Sequence, residues 1–180
     1  QAYVWRIEWQ ARGLPHVHLL IILRNPCRSP REIDSVVCAE IPDPEMFPEL
    51  FALVKELMIH QPCDTNDEAG CRQNDTKQCK RRFPKPMSRE TIVLSNKYPK
   101  YRRRGLFSCQ VGDRHVSDDW VVPFCPFLLL KYGAHVNCEV ASSIKSFKYV
   151  YKYVLKSPDK ASIVVNEIEA FLAGRLLSCS

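Results

Sequence analysis

The sequence lacks any apolar run close to the ~20 residues that a membrane-spanning helix requires. Its longest candidate, residues 17–23, has the length of a strand. The chain also has no P-loop sequence of the form G-x-x-x-x-G-K-[ST], no internal repeat and no low-complexity tract, and neither end carries the pattern of a secretory signal. These absences predict a chain that neither spans a membrane nor contains a P-loop ATPase.

The composition points to one domain with a nucleic-acid partner. The 180 residues, 46% of them apolar, are enough for one well-buried core, and we expect a single domain over 1–180. Lysine and arginine number 26 against 20 aspartates and glutamates. The basic clusters are 77–82, 97–104 and 145–156, and the acidic ones are 32–56 and 64–68. Such segregation favours a surface that binds nucleic acid.

The pattern of apolar residues predicts an α+β fold. Alternating side chains predict a strand at 2–9, the mainly apolar run 16–23 predicts a second, and the turn residues between them predict an antiparallel hairpin. Further short strands are expected at 91–94, 120–122, 135–140 and 161–165. Helices are expected at 31–39, 46–60, 126–132, 142–156 and 167–176. Strands and helices mixed around an antiparallel hairpin indicate the α+β class.

The second strand carries two histidines, His16 and His18, on either side of Val17. Because side chains at i and i+2 of a strand share a face, both imidazoles can reach one divalent ion while Val17 points to the core. On the partner strand Glu8 or Gln10 can supply an oxygen ligand. Such a set leaves positions for water and phosphate oxygens, as metal-assisted phosphoryl transfer requires. The alternative is a pair of histidines on a solvated face.

A second candidate site lies in the predicted helix 142–156. Tyr149 and Tyr153, four residues apart, lie on one face of that helix. A stripe of lysines runs beside them: Lys145, Lys148, Lys152 and Lys156. Phenols next to a stripe that attracts phosphate indicate attack by tyrosine on a phosphodiester. The alternative is that the tyrosines pack in the core.

A polar loop over 60–88 contains a third candidate site. One histidine and three cysteines in it form a set that zinc binds tetrahedrally: His60, Cys63, Cys71 and Cys79. Zinc would supply the folding free energy that a loop with so few apolar residues lacks. The nine cysteines are an odd number whose spacings fit metal ligation better than disulfides, which indicates a reducing compartment. The alternative is a set of incidental thiols.

Residues 8–18, EWQARGLPHVH, resemble the motif of the HUH endonucleases, and in detail that of the Rep domain of Helitron transposases. Residues 148–154, KYVYKYV, are similar to the two-tyrosine motif of that family. Further blocks similar to the family lie at 39–43, 58–63, 83–86, 101–104, 120–123 and 128–132. The resemblance therefore covers almost the whole chain.

The resemblance implies an HUH architecture, in which helices flank a ferredoxin- or RRM-like central antiparallel sheet, here with the zinc-stapled insertion 60–88. It implies a domain that is truncated at both ends, because an upstream strand would precede Gln1 and a helicase would follow Ser180. The implied partners are the single-stranded DNA of transposon ends and that helicase, and the implied location is the nucleus.

The resemblance also implies a role for each candidate residue. Tyr149 and Tyr153 would be the nucleophiles, with Tyr149 first, and Lys148 and Lys152 would hold the DNA backbone. The ligands of Mg²⁺ or Mn²⁺ would be His16 and His18, with Glu8 or Gln10 as the third. One tyrosine would attack the scissile phosphate, leaving a 5′-phosphotyrosine and a free 3′-OH, and the second tyrosine would handle the other strand.

Arg102, Arg103 and Arg104 are expected to contact DNA phosphates, with a solvated charged hairpin as the alternative. Other readings of the whole chain stay open. A non-catalytic zinc-stapled module would bind DNA without covalent capture. A hydrolytic metallonuclease would cleave DNA with water as the nucleophile and form no adduct. A decayed copy of a mobile element would keep its site residues without activity.

Overall fold

The structure, a computed structural model, describes residues 2–9, 15–61, 63, 71, 78–94, 98–141 and 162–164. Small antiparallel sheets and short helices make up these residues, which confirms the α+β class. The expected helices at 142–156 and 167–176 lie outside the described residues. Within the described part, no helix has the length and apolar character needed to cross a bilayer.

The predicted hairpin is confirmed. Strands β1 (Ala2–Trp9) and β2 (Pro15–Ile22) pair antiparallel. The last described strand, β5 (Ser162–Val164), pairs with the other edge of β1, so the sheet order is β2-β1-β5. This strand lies where the sequence predicts one, at 161–165. β1 is therefore the central strand of this sheet, paired along both edges.

The first helix, α1 (Pro30–Asp34), begins as predicted and ends early. Ser29 and Glu32 form a capping box, in which the Ser29 backbone N–H donates to the Glu32 carboxylate at 2.8 Å. Past its end, Cys38 and Phe124 exchange two backbone hydrogen bonds of 2.8 Å each. Because this antiparallel bridge uses the backbone N–H and carbonyl of the buried Cys38, the predicted helix does not continue to residue 39.

The helical prediction for 46–60 is confirmed with a change of pitch. Helix α2 (Pro48–Leu53) runs directly into a π-helical turn, Val54–Met58. The π turn ends where the His60 backbone N–H donates to the Trp120 carbonyl at 2.8 Å. Helix α3 (Pro126–Tyr132) has its predicted bounds, and Gly133 follows it in the left-handed region with φ of 53°.

Three predicted strands are absent from the described residues, and one hairpin was missed. Residues 91–94 and 120–122 form only isolated bridges, Ile92 to Lys100 and Val121 to Ile59, and 135–140 forms no strand. The missed hairpin consists of β3 (Cys109–Val111) and β4 (Arg114–Val116). Its strands are too short to show a period, and Gly112 at its turn has a φ of 56°.

The main described core lies around the helices and the 3₁₀ turn Asp118–Trp120, and the β1–β2–β5 sheet contributes no residue to it. Its fully buried members include Val54, Met58, Val121, Phe124 and Leu129. A second cluster joins Ile33, Val37, Ala39 and Tyr101. Val17, expected to point to the core, is 58% exposed. Among the residues whose burial the structure describes, the members of both core clusters thus lie outside β1 and β2.

Asp118 connects segments that are distant in sequence. It is 1% exposed and accepts hydrogen bonds from the backbone N–H groups of Ile41 at 2.8 Å and Gly105 at 2.7 Å. Burial raises its pKa, and the two N–H donors oppose that shift. Both N–H groups would lose their acceptor if this carboxylate were removed.

Asp118→Ala should lower the free energy of unfolding by about 3 kcal/mol, because a buried donor without a partner costs about 1–3 kcal/mol. Urea unfolding measures the change. The control is Asp113→Ala, an exposed aspartate in the β3–β4 turn, which should change stability by less than about 0.5 kcal/mol. Equal losses in the two variants would contradict a special role for Asp118.

Candidate metal centres

The four predicted zinc ligands converge. The ligand atoms of His60, Cys63, Cys71 and Cys79 all lie within 4.8 Å of one another. Nε2 of His60 is 3.6 Å from Sγ of Cys63 and 3.4 Å from Sγ of Cys79. Tetrahedral zinc with bonds of about 2.3 Å to sulfur and about 2.0 Å to nitrogen has S···N edges of about 3.5 Å. The group can therefore hold a metal ion such as zinc.

His60 is fixed by the core beside it. Its ring stacks on Phe83 with centroids 4.3 Å apart and lies parallel to Trp120 at 6.2 Å. Its backbone N–H bonds to Trp120, as the end of the π turn requires. Cys63 follows at 3% exposure. His60 and Cys63 thus lie against the main core, His60 through its contacts with Phe83 and Trp120.

Cys79 begins a tight turn. Its carbonyl accepts from the Arg82 N–H at 2.8 Å, and the Lys80 N–H donates to the Cys71 carbonyl at 2.6 Å. Arg82 has a φ of 58°, in the left-handed region that non-glycine residues seldom occupy. Although burial raises the pKa of Cys79, backbone N–H donors from Phe83 and Arg81 lower it overall, as expected for a thiolate ligand.

The pKa shifts of Cys63 and His60 are those expected of a site that can bind a divalent cation. Burial raises the pKa of Cys63 to about 12, and the thiols of Cys71 and Cys79 add to the effect. Burial also lowers the pKa of His60, helped by the charges of Arg81 and Lys85, so its imidazole is neutral and keeps a lone pair. Three adjacent thiolates repel one another, and a divalent cation at their centre removes that repulsion.

The second predicted centre lies on the β1–β2 pair. The register places Glu8 directly opposite His16, and Oε2 of Glu8 is 3.1 Å from Nε2 of His18. The two imidazole centroids are 5.5 Å apart. Glu8 and His16 are exposed and His18 is half-buried, so this face is open. Three of the predicted ligands share one face, and the fourth, Gln10, lies outside the described residues.

The two centres differ in how tightly they are assembled. Within the part of the chain that the structure describes, the His60 group alone has three or more candidate ligand atoms all within 4.8 Å of one another. The Glu8, His16 and His18 side chains form a looser set. The structure thus supports a metal at the first centre, and Mg²⁺ or Mn²⁺ at the second stays a prediction.

Other predicted site residues lie outside the described residues. They are Tyr149, Tyr153, Lys145, Lys148, Lys152 and Lys156. Their roles stay predictions. The strand that follows them in the chain, β5, is described, and it pairs with the strand that carries Glu8.

Arg103, expected to contact DNA, is a structural residue. It is 4% exposed, and its guanidinium donates to the backbone carbonyls of Val121 at 2.8 Å, Ala39 at 3.3 Å and Asp118. Burial lowers its pKa, and the Asp118 carboxylate opposes that shift. A side chain with these partners does not reach a phosphate, and this burial corrects the expectation of DNA contact for Arg103.

Arg102 and Arg104 are also paired within the protein. Their Nε atoms lie 3.1 Å and 2.8 Å from the two carboxylate oxygens of Glu40, which is 6% exposed. Hydrogen bonds from Arg104 lower the pKa of Glu40 against the opposing effect of burial, the largest single one. Sequence reasoning missed Glu40, although the acidic cluster 32–56 and the basic cluster 97–104 are of complementary charge.

Comparison with known proteins assigns neither a family nor a function to the chain. No protein-family model and no curated protein matches the chain. The resemblance to Helitron Rep domains therefore stays an expectation from the sequence. The geometry of the described residues carries the functional argument that follows.

Zinc content should be one ion per chain, and Cys79→Ser should remove it, because a serine oxygen replaces a sulfur that two backbone N–H groups hold in place. Elemental analysis of the purified protein measures the content. The matched control is Cys27→Ser, a half-buried cysteine outside the cluster, which should keep the zinc. Equal zinc content in both variants would exclude Cys79 as a ligand.

Zinc affinity should fall as the pH falls, because Cys63, with its pKa raised to about 12, is protonated in the metal-free protein and zinc must displace that proton. One displaced proton changes the binding constant about tenfold per pH unit. Competition with a chromophoric chelator, repeated between about pH 8 and about pH 6.5, measures the slope. An affinity independent of pH would contradict the assignment.

Proposed function

We propose that this chain is an HUH-type endonuclease and strand transferase that nicks single-stranded DNA in rolling-circle transposition of the Helitron kind. The observation that carries the proposal is the convergence of Glu8, His16 and His18 on one open face of paired strands. A nitrogen and oxygen donor set of this kind suits a hard divalent cation that retains positions for phosphate oxygens. The same proposal includes residence in the nucleus and a helicase domain in the same polypeptide.

The side chains on this face would bind and orient the substrate. His16 and His18 would supply imidazole nitrogens, and Glu8 would supply a carboxylate oxygen once its hydrogen bond to His18 opens. When bound, Mg²⁺ or Mn²⁺ would polarise the scissile phosphate so that a weak nucleophile suffices. The exposure of Glu8 and His16 leaves room for a DNA strand to approach the face from solvent.

Tyrosine supplies the nucleophile in this proposal. The Tyr149 phenolic oxygen attacks phosphorus and loses its proton to solvent, while the bond to the 3′-oxygen breaks and that oxygen takes up a proton. The products are a 5′-phosphotyrosine and a free 3′-OH. Tyr153 repeats the step on the second strand, and attack by a 3′-OH on the phosphotyrosine transfers the strand. Lys148 and Lys152 hold the DNA backbone.

A non-catalytic, zinc-stabilised DNA-binding module is the second candidate. The observation that favours it is the tighter assembly of the His60 group compared with the Glu8 group. Such a module would bind DNA through basic side chains and leave the tyrosines as packing residues. It differs from the first candidate in forming no covalent complex.

Covalent capture distinguishes the two candidates. The protein is incubated with labelled single-stranded DNA and Mn²⁺, resolved under denaturing conditions, and the adduct is mapped by mass spectrometry. We expect an adduct on Tyr149 or Tyr153. Tyr149→Phe should lower the yield of the first-strand adduct at least ~100-fold if this nucleophile acts first, since the attacking oxygen is removed and Tyr153 acts on the second strand. Tyr132→Phe, at an exposed tyrosine on α3, is the matched control.

The metal face has its own control pair. His16→Ala should abolish the adduct while zinc content stays at one ion per chain, which shows that the protein still folds. His115→Ala removes an exposed histidine of β4 and should leave the adduct unchanged. A zinc-loaded protein that binds DNA but forms no adduct would support the second candidate. Cleavage without an adduct would point instead to hydrolysis by metal-bound water.

A further inference from the structure

Three consecutive cations project from the zinc-binding turn. Lys80, Arg81 and Arg82 are all exposed, and we call these three side chains the knuckle surface. Among the described residues, none of the three pairs with a carboxylate. Unpaired, exposed positive charge of this density is available to an external anion.

The backbone beneath the knuckle surface is fixed at both ends. The Lys80 N–H bonds to the Cys71 carbonyl, and the Arg82 N–H bonds to the Cys79 carbonyl. Both carbonyls belong to predicted zinc ligands, and the left-handed conformation of Arg82 makes the turn tight. The metal cluster therefore determines where the three cations are, although none of them is a ligand.

The knuckle surface differs from the other basic run of the described residues. Arg104 pairs with the Glu40 carboxylate, Arg102 pairs with both Glu40 and Asp34, and Arg103 is buried among carbonyl oxygens. That run contributes little positive potential at the surface. Within the described part of the chain, the zinc-binding turn thus carries three exposed cations that have no carboxylate partner there.

We propose that the knuckle surface is a second DNA-binding site, which grips the phosphodiester backbone of single-stranded DNA. The proposal takes the identity of the polyanion from the proposed function. Arginine binds phosphate oxygens through a planar pair of N–H groups and lysine as a point charge, so the three side chains fit consecutive phosphates. A tight turn presents charge at one point, to which a flexible strand can bend, and it has no element shaped for a duplex groove.

The test is reversible DNA binding in a background that cannot react. Zinc-loaded protein with Tyr149→Phe and Tyr153→Phe is titrated, without added Mg²⁺ or Mn²⁺, into a fluorescein-labelled oligothymidine, and anisotropy gives the affinity. The test variant adds Lys80→Ala, Arg81→Ala and Arg82→Ala. The matched control removes three exposed cations from other elements: Arg31→Ala, Lys55→Ala and Lys131→Ala. Zinc content confirms that each variant is folded.

We expect the knuckle variant to bind at least ~10-fold more weakly and its salt dependence to lose about two units of slope, since each of three phosphate contacts contributes about 0.7 on a single strand. The control variant should lose less than about twofold in affinity and keep its slope. Equal affinities for the knuckle and control variants would overturn the proposal.

The outcome separates this proposal from the proposed function. If the knuckle variant binds as the control does while the protein with both tyrosines forms its adduct, the second binding site is refuted and the nicking activity stands. If the knuckle variant binds weakly and no adduct forms on either tyrosine, the DNA-binding site stands and the nicking activity is refuted. A parent protein that does not bind the oligothymidine at all overturns the binding proposal.

Discussion

The described structure depends on the cluster that His60 forms with Cys63, Cys71 and Cys79. His60 belongs both to this cluster and to the packing beside it, because its Nε2 faces the sulfurs while its ring stacks on Phe83. The loop around these cysteines has few apolar residues of its own. A metal held by this group would replace the missing burial and would connect the loop to the core through one imidazole.

The two candidate centres differ in donor chemistry, and this difference gives them separate roles. Three sulfurs and a nitrogen in a half-buried cluster leave no position for a substrate, which is typical of a structural zinc site. Two imidazoles and a carboxylate on an open strand face leave coordination positions unfilled, which is typical of a site that works on phosphate. The His60 group lies beside the main core, and the Glu8 group lies on the β1–β2 pair.

Sequence reasoning succeeded where local chemistry decides the structure. Pro126 at the start and Gly133 past the end bound α3. Alternation in 2–9, the apolar run 16–23 and the turn between them predict the hairpin that brings Glu8 to the histidines. One histidine and three cysteines in a polar loop predict the group of ligand atoms that the structure brings together. Each of these depends on a repeat, a turn residue or a ligand type that a short stretch of sequence contains.

Sequence reasoning failed where the hydrogen-bond partner of a charged side chain is distant in sequence. Arg103 is bonded to Ala39 and Val121, and nothing in the run of arginines indicates that its carbonyl partners will enclose it. The same holds for Asp118, which bonds Ile41 across 77 positions. A charged run is expected to face water because an isolated charge is costly to bury, and that cost disappears once the tertiary structure supplies the partners.

The central claim is that one chain carries a structural zinc and, separately, a site for a hard divalent cation at Glu8, His16 and His18. Titration of Mn²⁺ into the zinc-loaded protein, followed by electron paramagnetic resonance, tests it most directly. The account predicts one bound Mn²⁺ per chain, lost in His18→Ala with the zinc retained. Absence of bound Mn²⁺, or binding only with loss of zinc from the His60 cluster, would contradict it.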